Sequence, residues 1–231
     1  NGEALSTEVE DDALHNRGGA ILNEGILVVS GGRFMGNRAQ YSGGAVHNIG
    51  TATFTRTMFE SNMVDNDDPG AGGGGLSVAP MAVTTMDQST YKENGTGGRG
   101  GAILVEDDGS LTLQRSTISA NSASSAGGLY IGGEAILTDV TVYLNEATRD
   151  GEAAGVIVSE EGFAVISNSI IADDSSTDQC LFAGGVTVSA RSISTDVDCE
   201  GFLFVEDPGD IDLRPLLPWG RDIPSHVPAT G

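Results

Sequence analysis

The sequence predicts an all-β fold, a right-handed parallel β-helix solenoid of about seven coils. Three observations predict it: a block that recurs six times with fixed internal spacing, a glycine landmark ahead of each block, and period-two alternation of apolar residues inside the block.

The blocks start at Gly25, Gly50, Ala82, Gly109, Gly133 and Gly162. Nine residues after each start stands a large apolar residue: Phe34, Phe59, Tyr91, Ile118, Val142 and Ile171. Three further on stand Asn37, Asn62, Asn94, Asn121 and Asn145, with Asp174 in the sixth block. The second and fourth residues of each block are inward candidates, such as Leu27 and Val29, Ala52 and Phe54, or Leu111 and Leu113. Alternation of this kind marks a strand with one buried face. The residues between them, Val28, Thr53, Thr85, Thr112, Ile136 and Val165, are mostly β-branched and suit an outer pleated face.

The landmark reads Gly18-Gly19-Ala20-Ile21, Gly43-Gly44-Ala45-Val46, Gly74-Gly75-Leu76, Gly100-Gly101-Ala102-Ile103, Gly127-Gly128-Leu129-Tyr130 and Ala154-Gly155-Val156-Ile157. Paired glycines permit a sharp corner with positive φ before another short strand. Each coil is therefore expected to hold three strands: one after the landmark, one after the block start, and one ending at the Phe-like residue. Length variation falls at the corners, as a solenoid tolerates it. Stacked coils are expected about 4.8 Å apart. The recurrent Asn suits a left-handed corner, and its amide can bond the same residue one coil away, forming a ladder.

The ends depart from the repeat. Residues 1–17 read as a polar N-terminal cap or as the loop of an earlier coil of a longer chain, residues 18–200 as the β-helix, and residues 201–231 as a Pro-rich C-terminal cap. The last segment carries Pro208, Pro215, Pro218 and Trp219, and proline ends a strand ladder by removing its donors.

Composition limits the partners. The chain has 34 Gly, 33 acidic against 11 basic residues, and a formal charge of −22. That balance excludes nucleic acid, whose binding needs clustered Lys and Arg, and disfavours an anionic membrane surface. No apolar run is long enough for a membrane-spanning helix. Cys180 and Cys199, the only cysteines, suit one disulfide in an oxidising compartment, with two buried thiols as the alternative.

The run Gly43-Gly44-Ala45-Val46-His47-Asn48-Ile49-Gly50, followed by Phe59-Glu60-Ser61-Asn62, resembles the GGAI and FxxN repeats of the polymorphic outer-membrane proteins and related bacterial right-handed β-helix proteins. The likeness spans roughly residues 16–175 and continues more weakly through the cysteine segment, which is similar to the closing coils of large bacterial surface proteins. It implies a secreted or cell-surface location, and no catalytic residue carries over from it, because the matched positions are glycines, core apolar residues and corner Asn.

Candidate chemistry is sparse. Six residues past each block start lies an outward column: Gly31, Arg56, Gln88, Arg115, Asp139 and Asn168. Arg56 and Arg115, with Asp139 beside them, form a candidate clamp for an anionic sugar; ordinary solvated side chains are the plain alternative. Asp65, Asp67 and Asp68 in one long loop, with Asp107 and Asp108 in a turn, are candidate calcium ligands, although no EF-hand or GGxGxD repeat is present. Glu160 and Glu161 occupy the equivalent turn two coils on. His15, His47 and His226 are scattered, and His47 is expected at the surface.

The expected function is thus a non-catalytic extracellular module, adhesin-like, structural or ligand-binding, with carbohydrate or a host or cell-surface protein as partner and no cofactor other than calcium. The alternative is a polysaccharide lyase or hydrolase on the same scaffold. That alternative predicts a groove lined by Arg and carboxylates along one sheet.

Overall fold

The computed structural model describes residues 16–172, 178–189 and 191–205, with two short antiparallel strands, Leu217–Pro218 and Pro224–Ser225. Asp174, His15, His226, Trp219 and most of both terminal segments lie outside the described residues.

The chain is a parallel β-solenoid of about six turns. Its first sheet runs from Ile21–Asn23 through Val46–Asn48 to Cys180–Phe182, seven strands in chain order. The second sheet, also of seven strands, runs from Ile26–Ser30 to Gly185–Val188. The third runs from Arg33–Met35 through Ile170–Ala172 to Ile193–Ser194 and Leu203–Phe204. Each strand pairs with its counterpart one coil on, so the register follows the block alignment: Thr84 faces Ala52 on one side and Leu111 on the other.

A fourth strand, absent from the expected three, follows the corner Asn in five coils: Arg38–Ala39, Met63–Val64, Gly95–Thr96, Ser122–Ala123 and Glu146–Ala147. Two residues are too few to show alternation in a sequence. Burial of Ala39, Val64 and Ala123 nevertheless gives the segment an inner face that holds it to the core.

Phe34, Phe59, Tyr91, Ile118, Val142 and Ile171 stand in direct register as one interior column. The Phe34 and Phe59 rings stack at 4.9 Å, and Phe59 and Tyr91 at 4.6 Å. Stacking at the coil spacing is what a parallel ladder imposes on identical positions. The Tyr91 hydroxyl donates to Met86 Sδ at 2.7 Å, and burial pushes its pKa well above the usual value.

The Asn column forms a continuous buried ladder, Asn37 to Asn62, Asn94, Asn121 and Asn145, with side-chain Nδ2 to Oδ1 distances of 2.8 to 2.9 Å. The left-handed residue at this corner is not the Asn. It is the one before it: Gly36, Ser61, Glu93, Ala120 and Leu144. The corner turns on that residue, so the Asn side chain faces inward and its amide replaces the strand ladder where the backbone bends.

Two further ladders support the other corners. Asn23 donates to Asn48 Oδ1 at 2.6 Å, and Asn48 donates to Thr84 Oγ1 at 2.9 Å. Thr57, Ser89 and Ser116 form a hydroxyl ladder, in which Ser89 N–H donates to Ser116 Oγ at 3.1 Å while Ser89 Oγ donates to Asp87 O. Val140 interrupts it, and Ser169 resumes it by accepting from Val140 N–H.

Cys180 and Cys199 form a disulfide, with Cα atoms 5.1 Å apart. It joins the first strand of the last coil to the turn beyond Ile193–Ser194. A loop of this size restrains the unfolded chain by about 3 kcal/mol. Among the described residues, the restraint falls at the coil where the first and second sheets end.

Candidate functional site

Arg56, Arg115 and Asp139 do share one outward corner, and all three have positive φ, as do Gly31, Gln88 and Asn168. This column is the turn between the second and third strands. Its charged side chains are occupied by neighbours: Arg115 pairs with Asp87 Oδ2 at 2.7 Å, Arg56 donates to Ser30 Oγ, and Asp139 accepts from Asn168. Coil-to-coil pairing therefore holds the column.

The acidic loop is likewise tied to its own framework. Asp65 pairs with Arg38, Asp68 Oδ1 accepts from Gly70 N–H at 2.7 Å, and Asp67 packs over Gly97. Asp107 and Asp108 occupy their turn, with Asp107 against Gly132 and Asp108 in the left-handed region. No ligand set draws these five carboxylates to one point among the described residues. A different trio, Asp178, Asp196 and Asp198, brings its oxygens within 4.8 Å of one another beside the disulfide. Asp196 there already accepts from the backbone of Gln179 and Asp198.

His47 is fully buried, against the surface position expected from the sequence. It points outward from the first sheet, yet it is buried, with Arg17 lying against it. Arg17 Nη1 lies 3.3 Å from His47 Nε2. Arginine only donates, so Nε2 accepts and the neutral ring carries its proton on Nδ1, which has no partner. Burial, reinforced by Arg17, lowers the His47 pKa to about 3 from the usual 6.5. The folded state thus binds fewer protons than the unfolded chain between those values. The stability from His47 is complete above pH 6.5 and is lost as pH falls towards 3, at up to about 1.4 kcal/mol per pH unit. Urea midpoints measured across this window should fall less steeply for His47→Gln; parallel curves would contradict the burial of a neutral ring.

The outer face of the first sheet holds a second feature that no sequence motif marks. The middle residues of its strands, Leu104, Tyr130, Ile157 and Leu181, face outward yet are largely apolar, and Leu104 and Ile157 are buried. They form the floor of a groove containing two adjoining cavities of about 200 and 260 Å³ that share Arg99 and Tyr130. One wall carries Arg99, Ser125, Arg149 and Glu152, and the other Glu106, Asp107, Ser159 and Glu160. The Arg99 guanidinium sits 4.7 Å from the centre of the Tyr130 ring. Ser77 Oγ donates to Glu106 Oε1 at 2.9 Å, and Ser125 Oγ to Glu152 Oε2 at 2.8 Å. Burial raises the Glu106 pKa, partly offset by the Ser77 hydrogen bond.

The signal for this groove was present in the sequence. Strand-centre positions that alternation assigns outward read Leu, Tyr, Ile and Leu, where a solvated face would be polar. Among the described residues no helix is long and apolar enough to cross a membrane. No family model matches the chain, and neither a curated protein nor a solved structure is found to match it, so the site is read from its own geometry.

Proposed function

We propose that this chain is a non-catalytic extracellular module, adhesin-like, presenting ligand-binding surface on a rigid solenoid. The observation that carries the reading is the outward corner column: Arg56, Arg115 and Asp139, the residues a clamp for an acidic substrate would use, are engaged by Ser30, Asp87 and Asn168. The disulfide supports an oxidising compartment, and the repeat's likeness to polymorphic outer-membrane proteins supports a cell-surface setting.

One observation favours the enzyme reading, namely the groove and its half-buried Glu106. A carboxyl with a raised pKa beside other carboxylates is the kind of group that serves as a general acid in glycoside hydrolysis. The assay incubates the protein with neutral and acidic polysaccharides, with and without calcium, following new reducing ends and unsaturated products by ultraviolet absorbance. The module reading expects no turnover above a boiled control. Sustained turnover lost in Glu106→Gln, or in Arg56→Ala or Arg115→Ala, would replace it with the enzyme.

A further inference from the structure

We infer that the groove on the outer face of the first sheet binds a neutral oligosaccharide, with Tyr130 at its floor and Glu106 and Arg99 on opposite walls. The inference rests on the ligand-binding form of the module reading and names the ligand class.

Three features of the groove select that chemistry. Its floor is apolar and continuous across the strands Ile103–Val105, Leu129–Ile131, Val156–Val158 and Cys180–Phe182, three coil steps or about 14 Å. A sugar ring offers an apolar C–H face to such a floor, and an aromatic side chain supplies area at small entropic cost. The walls place carboxylate acceptors (Glu106, Asp107, Glu160) opposite guanidinium donors (Arg99, Arg149). A hydroxyl both donates and accepts, so a ligand rimmed with hydroxyls satisfies both walls at once.

Charge then separates neutral from acidic sugars. The walls hold four carboxylates, Glu106, Asp107, Glu152 and Glu160, against two arginines, on a chain of net charge −22. Arg149 lies 3.9 Å from Glu152, and Arg99 is drawn onto Tyr130. A polyanion would meet net repulsion here. An extended peptide is disfavoured for another reason: peptide capture along a sheet uses unpaired edge amides, and the backbone groups of this floor are spent on the neighbouring coils. The walls are also pre-set, because Ser77 and Ser125 orient Glu106 and Glu152 before any ligand arrives.

The test is affinity electrophoresis of the whole chain in native gels containing β-glucan, mannan, galactomannan, xylan or dextran, with polygalacturonate and heparin as acidic comparators. Retardation by at least one neutral polymer is expected, with oligosaccharides of that polymer binding by calorimetry. Tyr130→Ala and Glu106→Gln should each weaken binding about tenfold or more, and Arg33→Ala on the third sheet should leave it unchanged. Circular dichroism melts of each variant confirm that the fold persists, and Arg99→Gln supplies an independent wall variant. Retardation by none of the neutral polymers, retardation by the acidic ones alone, or neutral binding indifferent to all three groove variants would overturn the inference. Neutral binding accompanied by cleavage would keep the site and overturn the non-catalytic reading instead.

Discussion

Replacing Asn94 by Ala is expected to destabilise the fold by about 4 kcal/mol, far more than an ordinary turn residue. Its side chain makes four hydrogen bonds in the buried ladder. Nδ2 donates to Asn121 Oδ1 and Phe59 O, while Oδ1 accepts from Asn62 N–H and Asn62 Nδ2. Alanine leaves the buried Asn62 N–H without its acceptor and removes one bond each from Asn62 Nδ2, Phe59 O and Asn121 Oδ1, although Asn62 Nδ2 keeps Phe34 O and Asn121 Oδ1 keeps the Asn94 N–H. A buried orphan costs about 1 to 3 kcal/mol, and each lost bond adds to it. Asn94→Asp separates hydrogen bonding from shape. At neutral pH a carboxylate would turn its second oxygen on two acceptors, Phe59 O and Asn121 Oδ1, with its charge buried. Asp is therefore expected to be worse than Ala at pH 7 and to recover relative to Ala in acid, where the protonated carboxyl donates. Urea unfolding at pH 7 and pH 4 measures both effects. An Ala variant within about 1 kcal/mol of the native chain would show that the ladder does not stabilise the stack.

Gly101→Ala is expected to cost about 3 kcal/mol without removing any contact, because the cost is crowding. A methyl at Gly101 would lie 2.6 Å from Ser122 O and press on Gly127 O, backbone atoms of the approach to and the landmark of the following coil. Gly100, just before it, turns the corner with φ of 64°. The two glycines of the landmark therefore act differently: the first supplies the left-handed turn and the second lets adjacent coils approach. Register places Ala154 at this second position in the sixth coil, where the chain itself carries a Cβ. Ala154→Gly should accordingly be a mild change of about 1 kcal/mol, and thermal melts of both variants compare the two corners. Equal losses at Gly101 and Ala154 would remove the close-approach argument.

The parts legible in the sequence were those fixed by repetition. The column from Phe34 to Ile171 and the ladder from Asn37 to Asn145 follow from spacing alone, since a parallel ladder carries each position onto its equivalent one coil away. Their local causes were less legible. Asn accounts for the ladder, whereas the left-handed turn falls on residues such as Glu93, Ala120 and Leu144, which carry no turn signature and are held in that conformation by the stack. The landmark also mixed two roles, so its alignment slipped by one residue in coils such as Gly73-Gly74-Gly75-Leu76, where Gly73 makes the turn.

The site was harder to read because its residues come from different corners. Arg99 precedes one landmark, Tyr130 centres a strand in the next coil, and Glu106 follows a strand in the coil of Arg99. Nothing in linear spacing marks them as neighbours. His47 shows the same difficulty at the other end of the sheet: an outward position is buried, with Arg17 lying against it. Alternation predicts which way a side chain points, and loops decide whether that direction meets water.

The most direct test of the stacked architecture is side-chain amide exchange, observed by NMR on protein labelled with ¹⁵N at asparagine. The Nδ2 protons of Asn62, Asn94 and Asn121 are predicted to be strongly protected, and Asn94→Ala is predicted to release protection at Asn62, whose Nδ2 donates to Asn94. Side-chain amides at these positions exchanging as fast as those of free asparagine in water would contradict the solenoid.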